Sequence, residues 1–345
     1  MDFSKFMKPH SLEELNPDQP LLGFGIHESI THFNNSFLQS GAKLLDDFIK
    51  EHEDTKKWIL SSDYAFYDSE KNSDVVTFSL FPHLASFETM SECINIMAPS
   101  DLKKVRSVND TFISFLKEGP VFNITLVLDR ERRMHSDEKL YHISRIDAMI
   151  GMLEYWCTST PNEEDRYKKT IKELKQLKQM VKSSRLNLRI LRDIEIIASL
   201  AAYFLTEISE RANLEIIAWL SDRDSMLTFK HKFIGDYMLK QVSNLYHTLC
   251  VNSDVDPKGK LILTKPETVG KLAYDSFVRV PDYIAGTLAD FDFDKQEASH
   301  PKFDTIRDGV FAAEKRNIFY KVFFHPNFQA HRLMWGAQKG DTSKP

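Results

Sequence analysis

The feature that most limits how this chain can fold is an apolar run with an acidic end, Leu214-Glu215-Ile216-Ile217-Ala218-Trp219-Leu220-Ser221-Asp222-Arg223-Asp224. A run of this length bounded by charge reads as an interior strand of an α/β protein. Such sheets place their chemistry at strand tips, so Asp222 is the first candidate for a functional residue. The chain has 345 residues, 42% of them hydrophobic and 12% aromatic, which is enough to bury one large core or two ordinary ones.

Further β-rich runs lie upstream. Trp58 to Phe66 and Asp74 to Phe81 flank a polar turn, Asp68-Ser69-Glu70-Lys71-Asn72-Ser73, and so predict a hairpin. Asp63 falls inside its first strand, where a carboxylate needs either a compensating group or a solvent-facing edge. Val121 to Asp129 predicts a third strand that ends on an acid, followed by Arg130, Arg132 and Arg133. Lys260 to Thr264 predicts a short strand after a turn through Asp254, Pro257 and Gly259.

The other stretches read as helical. Residues 83 to 118 form two pieces, the second opened by Ser100 as N-cap, and residues 136 to 211 are helical throughout. A helix is expected from Thr228 to Leu249, and another opens at Pro281-Asp282, where proline suits the first turn and a carboxylate suits the helix dipole. The leader is broken by Pro9, Pro17 and Pro20 before a helix begins. The last stretch carries a helix from Phe303 to Val322 and a loose end from Gly340 to Pro345.

Net charge is −5, against a non-specific coat protein of nucleic acid, yet residues 166 to 192 hold ten basic side chains and one acid. Lys168, Lys169, Lys172, Lys175, Lys178, Lys182 and Arg185 lie in this segment, opposite an apolar stripe of Ile171, Leu174, Leu177 and Val181. Two readings stand: a solvated face, or a surface for a polyanion. Cys93, Cys157 and Cys250 lie far apart without metal-ligand spacing, which predicts a reducing, cytoplasmic location. No apolar run is long enough to span a bilayer, so no membrane association is expected. Nucleophile elbows, phosphate loops and zinc-binding helices are all missing.

Acids at Asp63, Asp129, Asp222 and Asp282 are spread so widely that only a fold could bring them together. The chemistry that needs such convergence is the binding of hard divalent cations, since Mg²⁺ takes oxygen ligands from a few carboxylates, water and substrate phosphate. Here Pro281-Asp282-Tyr283-Ile284-Ala285-Gly286, preceded by the strand ending at Asp222 and by the acidic first strand, resembles the RNase H-like superfamily. More narrowly it resembles a divergent member of the uncharacterised nuclease family called domain of unknown function 3800.

The resemblance implies an RNase H-like mixed sheet flanked by helices over residues 58–290, with a large helical insertion at about 136–211. A helical N-terminal extension would occupy 1–57, and a C-terminal helical extension and tail 291–345. It further implies that Asp63, Asp222 and Asp282 are catalytic and bind Mg²⁺ or Mn²⁺, with Asp129 and Asp224 as auxiliary ligands, in a nuclease acting on nucleic acid. The first strand reads Ser62-Asp63-Tyr64-Ala65, without the Glu-Ser-Gly that often follows the aspartate in that family. A second reading is therefore a catalytically degenerate protein that binds nucleic acid or a protein partner. A third makes the helical insertion a homo-oligomer interface.

Overall fold

A computed structural model describes residues 24–335 of the chain apart from 230, 258, 259 and 268. The expected proline-broken leader, the Gly259 turn position and the loose end from 340 to 345 lie outside the described residues. Helices α1 (Glu28–Ser40) and α2 (Ala42–Glu51) precede a hairpin of β1 (Lys57–Ala65) and β2 (Asp74–Pro82). Next come α3 (Phe87–Met97), α4 (Asp110–Glu118) and β3 (Phe122–Leu128). Three helices follow, α5 (Glu138–Ser159), α6 (Glu164–Lys182) and α7 (Leu188–Arg211), and then β4 (Ile216–Ser221). The chain continues through α8 (His231–Ile234), α9 (Tyr237–Asn252), β5 (Leu261–Thr264), α10 (Asp275–Asp290), α11 (Pro301–Ile306), β6 (Asn317–Phe323) and β7 (Gln329–Leu333).

The seven strands form one mixed sheet in the order β5-β4-β1-β2-β3-β6-β7. β1 pairs antiparallel with β2 and parallel with β4, β4 is parallel to β5, and β2 is antiparallel to β3. β6 is parallel to β3, and β7 returns antiparallel beside it. Every residue of β2 and β3 is buried, as strands covered by helices on both faces must be.

Side-chain alternation divides the core into two layers. Trp58, Leu60, Val76, Phe78 and Trp219 face one side, where α1, α2, α5, α6, α7 and α9 pack. Ile59, Val75, Phe81, Val127 and Leu220 face the other, against α3, α4, α10 and α11. The apolar stripe of α6 (Tyr167, Ile171, Leu174, Leu177, Val181) is consumed in the first layer, and α7 is buried along most of its length. The apolar helix faces that prompted an oligomer reading are thus covered by the chain itself.

Several elements depart from expectation. The Phe303–Val322 stretch is a short helix followed by β6, because Ile318, Tyr320 and Val322 pack into one layer while Phe319 packs into the other, a period of two. Ser100 caps no helix; α4 is capped by Asn109, whose side chain accepts from the Thr111 N–H at 2.8 Å. The expected helix from Thr228 to Leu249 is broken at Gly235, which has φ +62°, a conformation that favours glycine.

The departure that most affects the site is α10, which begins at Asp275 rather than at Pro281. Pro281 therefore sits inside the helix and lacks the N–H that would bond the Phe277 carbonyl. Ser61 on β1 supplies the missing donor: its hydroxyl donates to the Phe277 carbonyl at 2.9 Å. A polar residue in a central strand and a proline in a buried helix thus satisfy one another.

Replacing Ser61 with alanine leaves that buried carbonyl without a donor and is expected to cost about 2 kcal/mol in chemical denaturation. In a Pro281→Ala background the restored N–H takes over, and the same Ser61→Ala change is expected to cost under about 1 kcal/mol. Equal costs in both backgrounds would contradict the pairing.

Candidate metal centre

Asp63 and Asp222 come together because β1 and β4 are parallel neighbours whose C-terminal ends share one edge of the sheet. The ladder runs one residue beyond β4, with the Asp222 N–H donating to the Ser62 carbonyl at 3.0 Å. On both strands alternation turns the acid toward α10: Ile59 and Leu220 belong to that layer, so Asp63 and Asp222 extend the same rows. Behind them Ser62, Tyr64 and Ser221 face the other layer and bond each other, the Tyr64 hydroxyl lying 2.8 Å from both serine oxygens.

α10 brings the third acid. Asp275, Arg279, Asp282 and Gly286 recur at helical spacing and all line one cleft of about 470 Å³ with Asp63 and Asp222. The Leu102 N–H, opening a single 3-10 turn (Leu102–Lys104), donates to Asp282 Oδ2 at 3.0 Å. Gly286 makes that contact feasible, since a Cβ there would fall 2.7 Å from Leu102 Cδ2. The aspartate and glycine of the 281–286 motif therefore serve one contact: the first is held by the turn and the second leaves room for it.

Asp63 is only 8% exposed, and Asp222 and Asp282 are half-buried. None of the three forms an ion pair among the described residues. Burial, then the negative charges of Asp282 and Asp222, hold the Asp63 carboxyl well above the usual carboxylate range. Asp63 and Asp222 are lateral neighbours across the β1–β4 pair, and the nearness of Asp222 adds to the rise of Asp63. Asp222 is itself raised by burial, and Asp282 is pushed up to about 6 by burial first, against the lowering effect of the Leu102 N–H. This is the behaviour of carboxylates crowded without a compensating cation.

The other acids go elsewhere. Asp129 ends β3, two strands from β1 across β2, about 10 Å away at ordinary strand spacing, and does not line the cleft. Burial raises its carboxyl, opposed by Lys321 and the Phe324 N–H. The Asp224 carboxylate accepts from the Met226 N–H at 2.8 Å and the Ser225 hydroxyl at 3.1 Å, heading a turn outside the cleft lining. Arg132, from the basic run after Asp129, is fully buried and bonded to Asp74 at 2.6 Å and Asp193 at 2.9 Å; it braces the sheet edge.

The basic segment is not at the cleft either. α6 packs on the layer opposite α10, and part of its charge is met locally: Lys168 pairs with Glu164, Lys175 with Glu154 and Lys178 with Asp147. Lys169, Lys172, Lys182 and Arg185 stay exposed on that side. Conversely, Asp101, Asp275, Lys103 and Arg279 line the cleft without having stood out in sequence. The i, i+4, i+7 relation of Asp275 and Arg279 to Asp282 is the signal that a helix start at 275 would have exposed.

Among the described residues no group of three or more His, Cys, Asp or Glu side chains stands in metal-ligand geometry. The three acids of the expected ligand set line one cleft. The chemistry of Asp63 and Asp222 still fits a hard cation, because Mg²⁺ is commonly held by one or two carboxylates and completes its shell with water and phosphate.

Because the folded protein binds the Asp282 proton more tightly than the unfolded chain, stability falls as pH rises from 3.8 to about 6 and the penalty persists above that. In chelator, Asp282→Asn is therefore expected to raise the melting temperature, more at pH 8 than at pH 5. An equal gain at both values would contradict this origin.

No protein-family model matches the chain, and neither a curated protein nor a solved structure matches it.

Proposed function

We propose that this chain is a metal-dependent phosphodiester hydrolase, a nuclease of RNase H-like type in which Asp63 and Asp222 hold Mg²⁺ or Mn²⁺. The observation that carries the reading is the placement of these two carboxyls side by side at the ends of paired parallel strands in one cleft, one of them buried and neither in an ion pair among the described residues. Bringing unlike strands together to crowd like charges costs stability, and a bound cation is the simplest offset. Support for the fold assignment comes from the five-strand core β3-β2-β1-β4-β5, with β1 antiparallel to β2 and parallel to β4.

A metal in this position would polarise a phosphoryl oxygen and lower the pKa of a bound water. The chain's own part is narrower. Asp63 and Asp222 supply oxygen ligands from rigid strand ends, while the Leu102 N–H keeps Asp282 in the cleft wall, where its negative charge adds to theirs. Nucleic acid is the proposed partner and Mg²⁺ or Mn²⁺ the proposed cofactor.

The degenerate reading retains one specific motive. Tyr64-Ala65-Phe66 stands where the resembled family often continues Glu-Ser-Gly, and the Tyr64 hydroxyl is committed to Ser62 and Ser221. Such a protein would bind a strand without cutting it.

The two readings separate in one assay. Mn²⁺-dependent cleavage of labelled oligonucleotides is expected for the native chain, with a loss of at least about a hundredfold in Asp222→Asn, comparable to the loss of an electrostatic stabiliser elsewhere. Cleavage that survives Asp222→Asn would sink the assignment. Binding without cleavage would favour the degenerate reading.

A further inference from the structure

The nuclease reading leaves open where a strand meets the cleft, and the answer lies in which cations are already engaged. Lys71, Lys103, Lys104, Arg223 and Arg279 line it. Lys71 pairs with Asp290 at 2.8 Å and Lys104 with Asp101 at 2.5 Å. Arg279 bonds Asn95 and the Ala98 carbonyl and pairs with Asp275. Arg223 donates to the carbonyls of Glu267 and Gly270. Lys103 differs: it is exposed and makes no hydrogen bond or ion pair among the described residues.

Its backbone is nonetheless well fixed. The Leu102 N–H is bonded to Asp282, and Lys302 donates to the carbonyls of Leu102 and Val105 at 2.9 and 3.2 Å, so the 3-10 turn is tied on both sides. An anchored turn therefore presents an exposed ammonium beside the acids. An arriving anion gains little from a cation that is already neutralised, and more from one that is not.

The cleft also limits the approach to the acids. Asp63 lies at the base of this space of about 470 Å³ and is only 8% exposed, so a phosphate reaches it from within the cleft that Lys103 also lines.

Resting on the nuclease reading, we infer that a nucleic-acid backbone enters the cleft and that Lys103 holds one of its phosphates. The exposed lysines of α6 play no part in this contact, because they lie on the opposite layer.

Fluorescence anisotropy of a labelled single-stranded oligonucleotide against the full chain, with Ca²⁺ replacing Mg²⁺, reads the inference without turnover. Lys103→Gln is expected to weaken binding several-fold and to flatten the plot of log affinity against log salt by about 0.7, the value of one phosphate contact on a single strand. Lys103→Arg should retain the contact, while Lys104→Gln and the pair Lys169→Gln, Lys172→Gln should leave the slope unchanged. A native slope in Lys103→Gln, or no binding of this strand or of its duplex by the native chain, overturns the inference. Its failure is distinct from failure of the catalytic reading, which Mn²⁺-dependent cleavage reports separately: binding that depends on Lys103 without cleavage would leave the inference standing and remove the catalysis.

Discussion

The parallel pairing of β1 with β4 is the constraint on which the rest of the site depends. Because the two strands run the same way, both end at one edge, and the bond from the Asp222 N–H to the Ser62 carbonyl fixes the second acid beside the first. A slip of one residue in either strand would turn its carboxylate into the opposite layer, among Trp58, Leu60 and Trp219, where a charge has no partner. Register and the placement of the acids are thus specified by the same pattern: apolar side chains decide which face is which, and the acids follow.

The second dependence is the seat of α10. A helix carrying an internal proline has a carbonyl to satisfy, and Ser61 does so from the strand two residues before Asp63. At the next turns Asp282 meets the Leu102 N–H and Gly286 gives Leu102 room. These contacts place the third carboxylate opposite the strand tips without any ion pair among the described residues, so burial raises its carboxyl, opposed by the Leu102 N–H and helped by the charges of Asp101 and Asp222. Crowded acids of this kind are unfavourable in the bare protein, and that is the physical basis for assigning them to a cation.

What could be read from sequence was the part encoded by local pattern. Asp222 at the end of an apolar run, Asp63 in a β-rich run and the Asp282–Gly286 spacing all pointed to the cleft, and all three acids line it. Asp129 carries the same local signature as Asp222, and only strand order, which places β2 between β1 and β3, separates them. Pro281 misdirected the start of α10, since proline favours a first turn unless another residue covers the freed carbonyl, and Ser61 lies 216 positions away. That error hid Asp275 and Arg279. The basic run before Arg192 was plain in composition, but its position behind the sheet follows from how α6 packs, which composition does not reveal.

The proposed metal at Asp63 and Asp222 is tested most directly by anomalous diffraction from crystals of the native chain soaked in Mn²⁺. The account predicts one strong peak about 2.1 Å from an oxygen of each of these two residues, lost in Asp63→Asn. A cleft that stays free of anomalous density at saturating Mn²⁺, or a peak that forms away from both carboxylates, would contradict it.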